Sequence, residues 1–328
     1  MSILIVGDPH FRISAIYECK VMASKIVEYA TDIKPSMIVV LGDILDRHET
    51  IHVEPLTHAC KFLEDLSKIS STYVLIGNHD RPNNSDFLSD RHPFPLAESD
   101  SLHIVYTTLK VRENGNIYTF VPYVPPGRFM EALSKVSGWE KSRYIFAHQE
   151  FKGAKMGAIV SEIGDEWNSS YPHIYSGHIH DYQELENITY VGTPMAHAFG
   201  DRDDKTVSLV KSDGTHERID LELPLRKLEH KTATDIIKID PSTYSIPEGT
   251  LLKIVIEGTH AENTVASKSD SVKQLQKKGI KIVFRDLRNG QEPVPERIEN
   301  KLFHQLLFEA VENNKELKPL VKELFESS

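Results

Sequence analysis

Short apolar runs, several rich in β-branched residues, recur through the first two thirds of the chain at positions 3–6, 37–41, 73–76, 144–147 and 174–176. Bounded by Gly, Asn or Pro, runs of this length predict buried strands and not helices. Between the first of them the spacing turns helical. Ser14 is placed to cap a helix reaching Ile33, which the Lys34-Pro35 step ends, and Pro55 stands near the start of a second helix reaching Lys68. Strand, helix, strand, helix, strand is an α/β pattern, and it sets polar groups at the carboxyl ends of parallel strands.

From about 102 to 124 the strands become closely spaced, and Glu113-Asn114-Gly115-Asn116 predicts a hairpin turn. Positions 188–191 and 206–210 again read as strands. The expectation is a four-layer α/β domain over 1–225: two packed sheets with helices outside. Residues 226–290 read as a small α/β capping domain, with strands at 236–239, 251–256 and 280–284 and a charged helix over 269–278. Gln291 to Pro295 reads as a linker. In 296–328, Ile298, Leu302, Leu306 and Ala310, then Leu317, Leu320, Val321 and Leu324, predict two amphipathic C-terminal helices separated by Asn313-Asn314.

Composition changes the picture in two places. A length of 328 residues suits one large domain and a smaller one at roughly 150 residues each, and 40% hydrophobic with 26% charged residues excludes fibrous and disordered classes. No apolar run approaches the roughly 18 residues of a membrane span, and the first residues read as a strand, not a signal peptide. Cys19 and Cys60 are too few for a disulfide framework, which fits a reducing cytoplasm. The net charge of −10 speaks against a nucleic-acid partner. The sixteen histidines are the anomaly, and they point to the chemistry.

The polar clusters sit at the strand ends: Gly7-Asp8-Pro9-His10, Gly42-Asp43-Ile44-Leu45-Asp46, Gly77-Asn78-His79-Asp80, His148-Gln149 and Gly177-His178-Ile179-His180. Each Gly is expected to let the backbone turn sharply, aiming the next side chain into the crevice beyond the sheet. Carboxylate, amide and imidazole donors without a thiolate are the mixed set expected for two divalent metals. Such a pair clamps a phosphate and makes hydroxide available near neutral pH, so the pattern predicts metal-assisted phosphoester hydrolysis. His48, His52, His58, His92, His173 and His197 lack motif support and read as surface or satisfied histidines.

These motifs, in this order, resemble the calcineurin-like metallophosphoesterase superfamily over residues 3 to about 200. Gly77-Asn78-His79-Asp80 ending in Asp, His148 followed by Gln149, and Tyr190-Val191-Gly192-Thr193-Pro194 after the last His pair resemble its SbcD-type branch. That branch holds nuclease subunits of recombination and repair complexes, including phage-type ones. The resemblance implies that Asp8, His10, Asp43 and His180 hold one metal, and that Asp43 bridges to a second held by Asn78, His148 and His178. His79 would then protonate or stabilise the leaving oxygen, with Asp80 and Asp46 supporting from behind. An imidazole between an amide and a carboxylate suits acid catalysis. Asp46 departs from the branch, where some members place a histidine.

The resemblance further implies two metal ions, manganese foremost with magnesium or iron as substitutes. It implies DNA as substrate, a homodimer, and an SbcC-type coiled-coil ABC ATPase partner bound through 296–328, in a cytoplasmic setting (the host's, for a phage-encoded chain). Lys268, Lys273, Lys277, Lys278, Lys281, Arg285 and Arg288 make the capping segment locally basic, as phosphate contact requires. The acidic total then becomes a reason to expect help from a partner. The alternatives are a stand-alone phosphoesterase acting on nucleotides or phosphoproteins, and a non-catalytic scaffold with the same fold.

Overall fold

The first apolar run forms β1 (Ser2–Val6), and its alternation serves both faces of a sheet: Ile3 and Ile5 enter one buried cluster, Leu4 and Val6 another. This computed structural model describes residues 2–287 apart from 49, 95–98, 158 and 247–248. The expected linker at 291–295, Arg288 and the C-terminal helices of 296–328 lie outside the described residues.

A 3₁₀ turn over Ile13–Ala15 takes up Ser14, so α1 (Ile16–Ile33) starts behind it without a side-chain cap. Lys34 ends the helix as read: in the left-handed region at φ 47°, it returns its N–H to the Ala30 carbonyl at 2.9 Å. Then follow β2 (Met37–Val40), α2 (Val53–Ser67), β3 (Thr72–Leu75) and β4 (Leu102–Val105). The predicted hairpin joins β5 (Leu109–Glu113) to β6 (Asn116–Val121). Asn114 and Gly115 both take positive φ, 50° and 83°, as a two-residue turn matched to strand twist requires.

The chain continues through α3 (Phe129–Leu133), β7 (Tyr144–His148), a short ribbon of β8 (Lys155–Met156) and β9 (Ile159–Val160), and β10 (His173–Gly177). It closes the large unit with β11 (Gln183–Leu185), β12 (Ile188–Tyr190), β13 (Val207–Lys211) and β14 (His216–Ile219). Among the described residues these form two six-stranded sheets, ordered β14-β13-β1-β2-β3-β4 and β11-β12-β10-β7-β6-β5, with parallel strands at the centre of each.

Ile3, Ile5, Val39, Leu75, Phe120, Phe146 and Tyr175 pack between the sheets. Outside the first sheet, Met22 and Ile26 of α1 and Phe62 and Leu66 of α2 cover Leu4, Val6, Ile38 and Val40. Outside the second, Phe129, Leu133, Trp139 and Phe151 cover Ile145 and Ile174. The four-layer α/β sandwich expected from the sequence is therefore present. At roughly 1.5–3 kcal/mol for each buried large apolar side chain, these three clusters hold the strand ends in a fixed relation.

The third sheet is parallel throughout, built from β15 (Leu225–Thr232), β16 (Thr250–Gly258) and β17 (Lys281–Asp286). Its helices are α4 (Ala233–Lys238), α5 (His260–Lys268) and α6 (Asp270–Lys277). Here the reading of 236–239 as a strand is corrected: most of it lies in α4. The Thr232 hydroxyl accepts the Asp235 N–H at 3.1 Å and starts a helical turn, and Ile236 is buried with Ile254 and Ile256. Four residues, three of them isoleucine, cannot separate the two periods. The strand is instead β15, whose charged positions concealed it. Arg226 of β15 reaches back to Glu18 of α1 at 2.8 Å and lies over the Phe199 ring at 5.3 Å, joining this unit to the large one.

Candidate metal centre

Each polar cluster lies beyond a central parallel strand, and the backbone there is unusual. His10, Asp43 and His178 adopt positive φ of 45°, 47° and 78°, a region that non-glycine residues seldom occupy and that clusters at functional sites. The neighbouring glycines serve closeness more than bending. Only Gly42 has positive φ, 107°, and a Cβ there would come within 2.7 Å of His148 Nδ1. A Cβ on Gly77 would land on Asp43, and one on Gly177 on Asp8 Oδ1. The glycines thus let the loops approach each other, a correction to the expectation that each one turns the chain.

The structure brings together all seven residues expected to bind metal. Asp8, His10 and His180 place one ligand atom each within 4.8 Å of one another, and so do Asp43, His148 and His178. Asp43 stands between the two groups: its Oδ2 is 3.8 Å from His10 Nε2 and its Oδ1 3.4 Å from His148 Nε2. Asn78 Oδ1 is 3.0 Å from His148 Nε2 and 2.9 Å from His178 Nδ1. His10 Nε2 and His180 Nε2 face each other at 3.1 Å.

Backbone contacts fix which ring nitrogens look inward. His148 donates Nδ1–H to the Leu41 carbonyl at 2.7 Å, leaving Nε2 toward Asp43 and Asn78, the arrangement that sets the tautomer of a metal-binding histidine. His178 N–H holds Asp8 Oδ2 at 2.8 Å, and His79 N–H holds Asp43 Oδ1 at 2.8 Å.

The electrostatics are those of a site built for cations. Burial holds His10 and His178 down at about 3 and lowers His180, so these rings are neutral with lone pairs available. Burial also raises Asp8 well above the carboxylate range, against the pull of His148. At His148 burial is outweighed by the Asp43 and Asp8 carboxylates, which lift it to about 9. Among the described residues Asp8 Oδ1 and His10 Nδ1 are buried without a hydrogen-bond partner. An orphaned carboxylate oxygen buried beside neutral imidazoles fits divalent ions of the hard-to-intermediate class.

His79 lies in front of this set. Its Nδ1–H donates to the Asp46 carbonyl at 2.8 Å, and its Nε2 faces Asp43 Oδ2 at 3.9 Å. Asp46 therefore meets His79 through its backbone. Its carboxylate turns to Arg12 at 3.4 Å and His10 Nδ1 at 3.9 Å. Asp80, buried, accepts from the N–H groups of Ile44, Leu45 and Gly77 at 3.1, 2.9 and 3.0 Å and ties the loop after β2 to the loop after β3. Burial and then Asp43 push its carboxyl up to about 6, against those three donors.

Two of the histidines read as surface or satisfied border this site. His48 stacks on His79 with centroids 4.7 Å apart and rings 18° from parallel. His197 is buried, donates Nε2–H to the Asp8 carbonyl at 3.1 Å and packs its ring 4.9 Å from that of His10. Arg12, Arg81 and Tyr123 were also unforeseen; Tyr123 lies 5.9 Å from the His178 ring. Arg12 and Arg81 stand just beyond the first and third polar clusters, and Tyr123 comes from a separate stretch of chain, so residue type and spacing alone did not mark them. Gln149, singled out beside His148, is instead a buried tie to Asp165 at 2.7 Å.

Comparison with known proteins gives the family. The family model described as calcineurin-like phosphoesterase matches residues 1–193. The chain is 35% identical over 294 residues to "Putative phosphoesterase 078R" of Invertebrate iridescent virus 3, covering 87% of this chain and 84% of that one. It is 43% identical over 213 residues to "Putative phosphoesterase 244L" of Invertebrate iridescent virus 6, covering 63% and 75%. A more distant similarity, 24% over 219 residues and 62% of each chain, is to "Exonuclease subunit 1" of Enterobacteria phage T4.

Proposed function

We propose that this chain, which belongs to the calcineurin-like phosphoesterase family, is the nuclease subunit of an SbcCD-type complex and hydrolyses DNA phosphodiester bonds with two divalent metals. The observation that carries the reading is His79 Nε2 standing 3.9 Å from Asp43 Oδ2, where two groups of metal-type donors meet. Asp8, His10, Asp43 and His180 would hold one ion, and Asp43, Asn78, His148 and His178 the other. Such ions withdraw charge from phosphate oxygens and make hydroxide available near neutral pH. Mixed imidazole and carboxylate donors favour manganese over magnesium.

The chain's own residues do the rest. With Nδ1–H committed to the Asp46 carbonyl, His79 takes and gives protons only at Nε2. Protonated there, it delivers that proton to the leaving oxygen. Asp80 keeps the Asn78-His79 loop in register with Asp43. The distant similarity to a phage exonuclease subunit supports DNA as the substrate, and exposed Lys268, Lys273, Lys277 and Lys281 on the small unit would meet its backbone. Residues 296–328 would bind the coiled-coil base of the ATPase partner, and a second copy of the chain would complete a dimer.

The test is incubation with linear and hairpin DNA, a nucleotide and a phosphoprotein, in manganese and in magnesium. DNA cleavage in manganese that His79→Ala abolishes is expected. Turnover of the nucleotide or phosphoprotein alone would replace this reading with a stand-alone phosphoesterase, and no turnover would favour a scaffold.

A further inference from the structure

Arg81 follows directly on the Gly77–Asp80 run, and its side chain is among the largest that the fold buries completely. Nη1 donates to the Asp86 carbonyl at 3.0 Å, but Nε and Nη2 have no hydrogen-bond partner among the described residues. The Asp86 carboxylate is taken by Arg91, and the Asp80 carboxylate by three backbone donors. Burial draws Arg81 down to about 10 against the pull of the Asp86 and Asp80 carboxylates nearby, which leaves it charged at neutral pH but with both carboxylates hydrogen-bonded to other groups. A buried guanidinium with two idle donors is costly unless an anion compensates it.

A compensating place exists beside it. Arg81 and His79 both line a pocket of about 450 Å³, a size that suits a nucleotide-scale ligand. Arg47 adds an exposed cation to the same pocket, Arg91 lines it while paired with Asp86, and Leu45, Ile51 and Pro82 give it an apolar wall. Cations for a phosphate, an apolar surface for a base, and the histidine that would serve the leaving oxygen thus adjoin one another.

We infer that this pocket is a subsite for the nucleotide on the leaving side of the cut, with Arg81 supplying the charge for that nucleotide's own phosphate. The substrate class is then a nucleic-acid strand, in which one phosphodiester is followed by another, and not an isolated phosphate ester. The inference rests on the reading that hydrolysis takes place beside His79.

The full chain in manganese tests it with three hydrolysis substrates: bis-p-nitrophenyl phosphate, the dinucleotide TpT, and the same dinucleotide carrying a further phosphate on either end. Wild type should favour a phosphate-bearing dinucleotide over TpT by tenfold or more in kcat/KM. Arg81→Gln should erase that preference and Arg81→Lys restore part of it. Unchanged preference in Arg81→Gln, or an equal loss on bis-p-nitrophenyl phosphate and the dinucleotides, overturns the subsite.

A binding arm separates this from the reading it rests on. Titrated calorimetrically, thymidine 3′,5′-bisphosphate should bind wild type at least tenfold more tightly than thymidine 5′-phosphate, even where no diester is hydrolysed. Equal affinity for the two overturns the subsite. Should Arg81→Gln fail to fold, Arg47→Gln with Arg91→Gln, both at exposed positions, should weaken the bisphosphate several-fold, and an unaltered affinity overturns it equally.

Discussion

His79 is tied to Asp46 through the main chain: its Nδ1–H meets the Asp46 carbonyl at 2.8 Å, while the Asp46 carboxylate faces Arg12 and His10. The two side chains should therefore differ sharply under mutation. His79→Gln is expected to lower kcat by about 10²–10⁴, the usual worth of a placed general acid, with bound metal unchanged. Asp46→Asn keeps the carbonyl and should cost less than tenfold. Steady-state kinetics alongside metal analysis decide this, and equal losses in the two variants would remove the backbone tie as the explanation.

Gly77 and Gly177 exist for contact between loops. Alanine at either would press its methyl group onto Asp43 or Asp8. Each substitution should destabilise by about 1–3 kcal/mol, the cost of overpacking, and reduce metal content. Gly115→Ala, whose Cβ meets nothing within 4 Å, should leave metal content intact and cost only the backbone strain that a Cβ adds at φ 83°. Metal stoichiometry and urea midpoints of the three proteins make the comparison.

Removing metal should loosen the large unit. Asp8 and Asp43 are buried acids whose negative charge is best compensated by cations. Manganese at a hundredfold excess over Kd should add about 2.7 kcal/mol per site, seen as a higher melting temperature that EDTA reverses. In Asp43→Asn that shift should shrink by more than half, since Asp43 faces both groups. A melting temperature indifferent to manganese would contradict the metal assignment.

The helix replacing the strand expected at 236–239 depends on Thr232. Thr232→Ala removes the acceptor for the Asp235 N–H and should cost about 1 kcal/mol, while Thr232→Ser should be nearly neutral. Hydrogen exchange localised to α4 reads the difference. Were this stretch held as a strand, the two variants would behave alike.

Much was legible in the sequence where the physics is local. Strand positions survived to within a residue or two because alternation and length are properties of the run itself, as at β1, where Leu4 and Ile5 had to part. The Asn114-Gly115 turn was legible for the same reason: both residues tolerate the positive φ that a tight hairpin needs. The small unit was less so. Its β15 carries charge between its apolar residues, and its α4 is short and β-branched, so only packing against β16 chose between periods.

By itself the sequence determined the donor chemistry: carboxylates, an amide and imidazoles at strand ends, in an order whose residues the fold gathers. The tertiary structure decided how they meet. Asp43 came to lie between two donor groups, the glycines proved to be points of loop contact, and His48 and His197 joined the site from positions without any motif, as Arg81 did from the position just after one. The reason is physical. Residue type and spacing fix what a side chain can donate or accept, whereas which nitrogen faces inward, and which charge is left buried without a partner, depends on backbone brought in from distant parts of the chain.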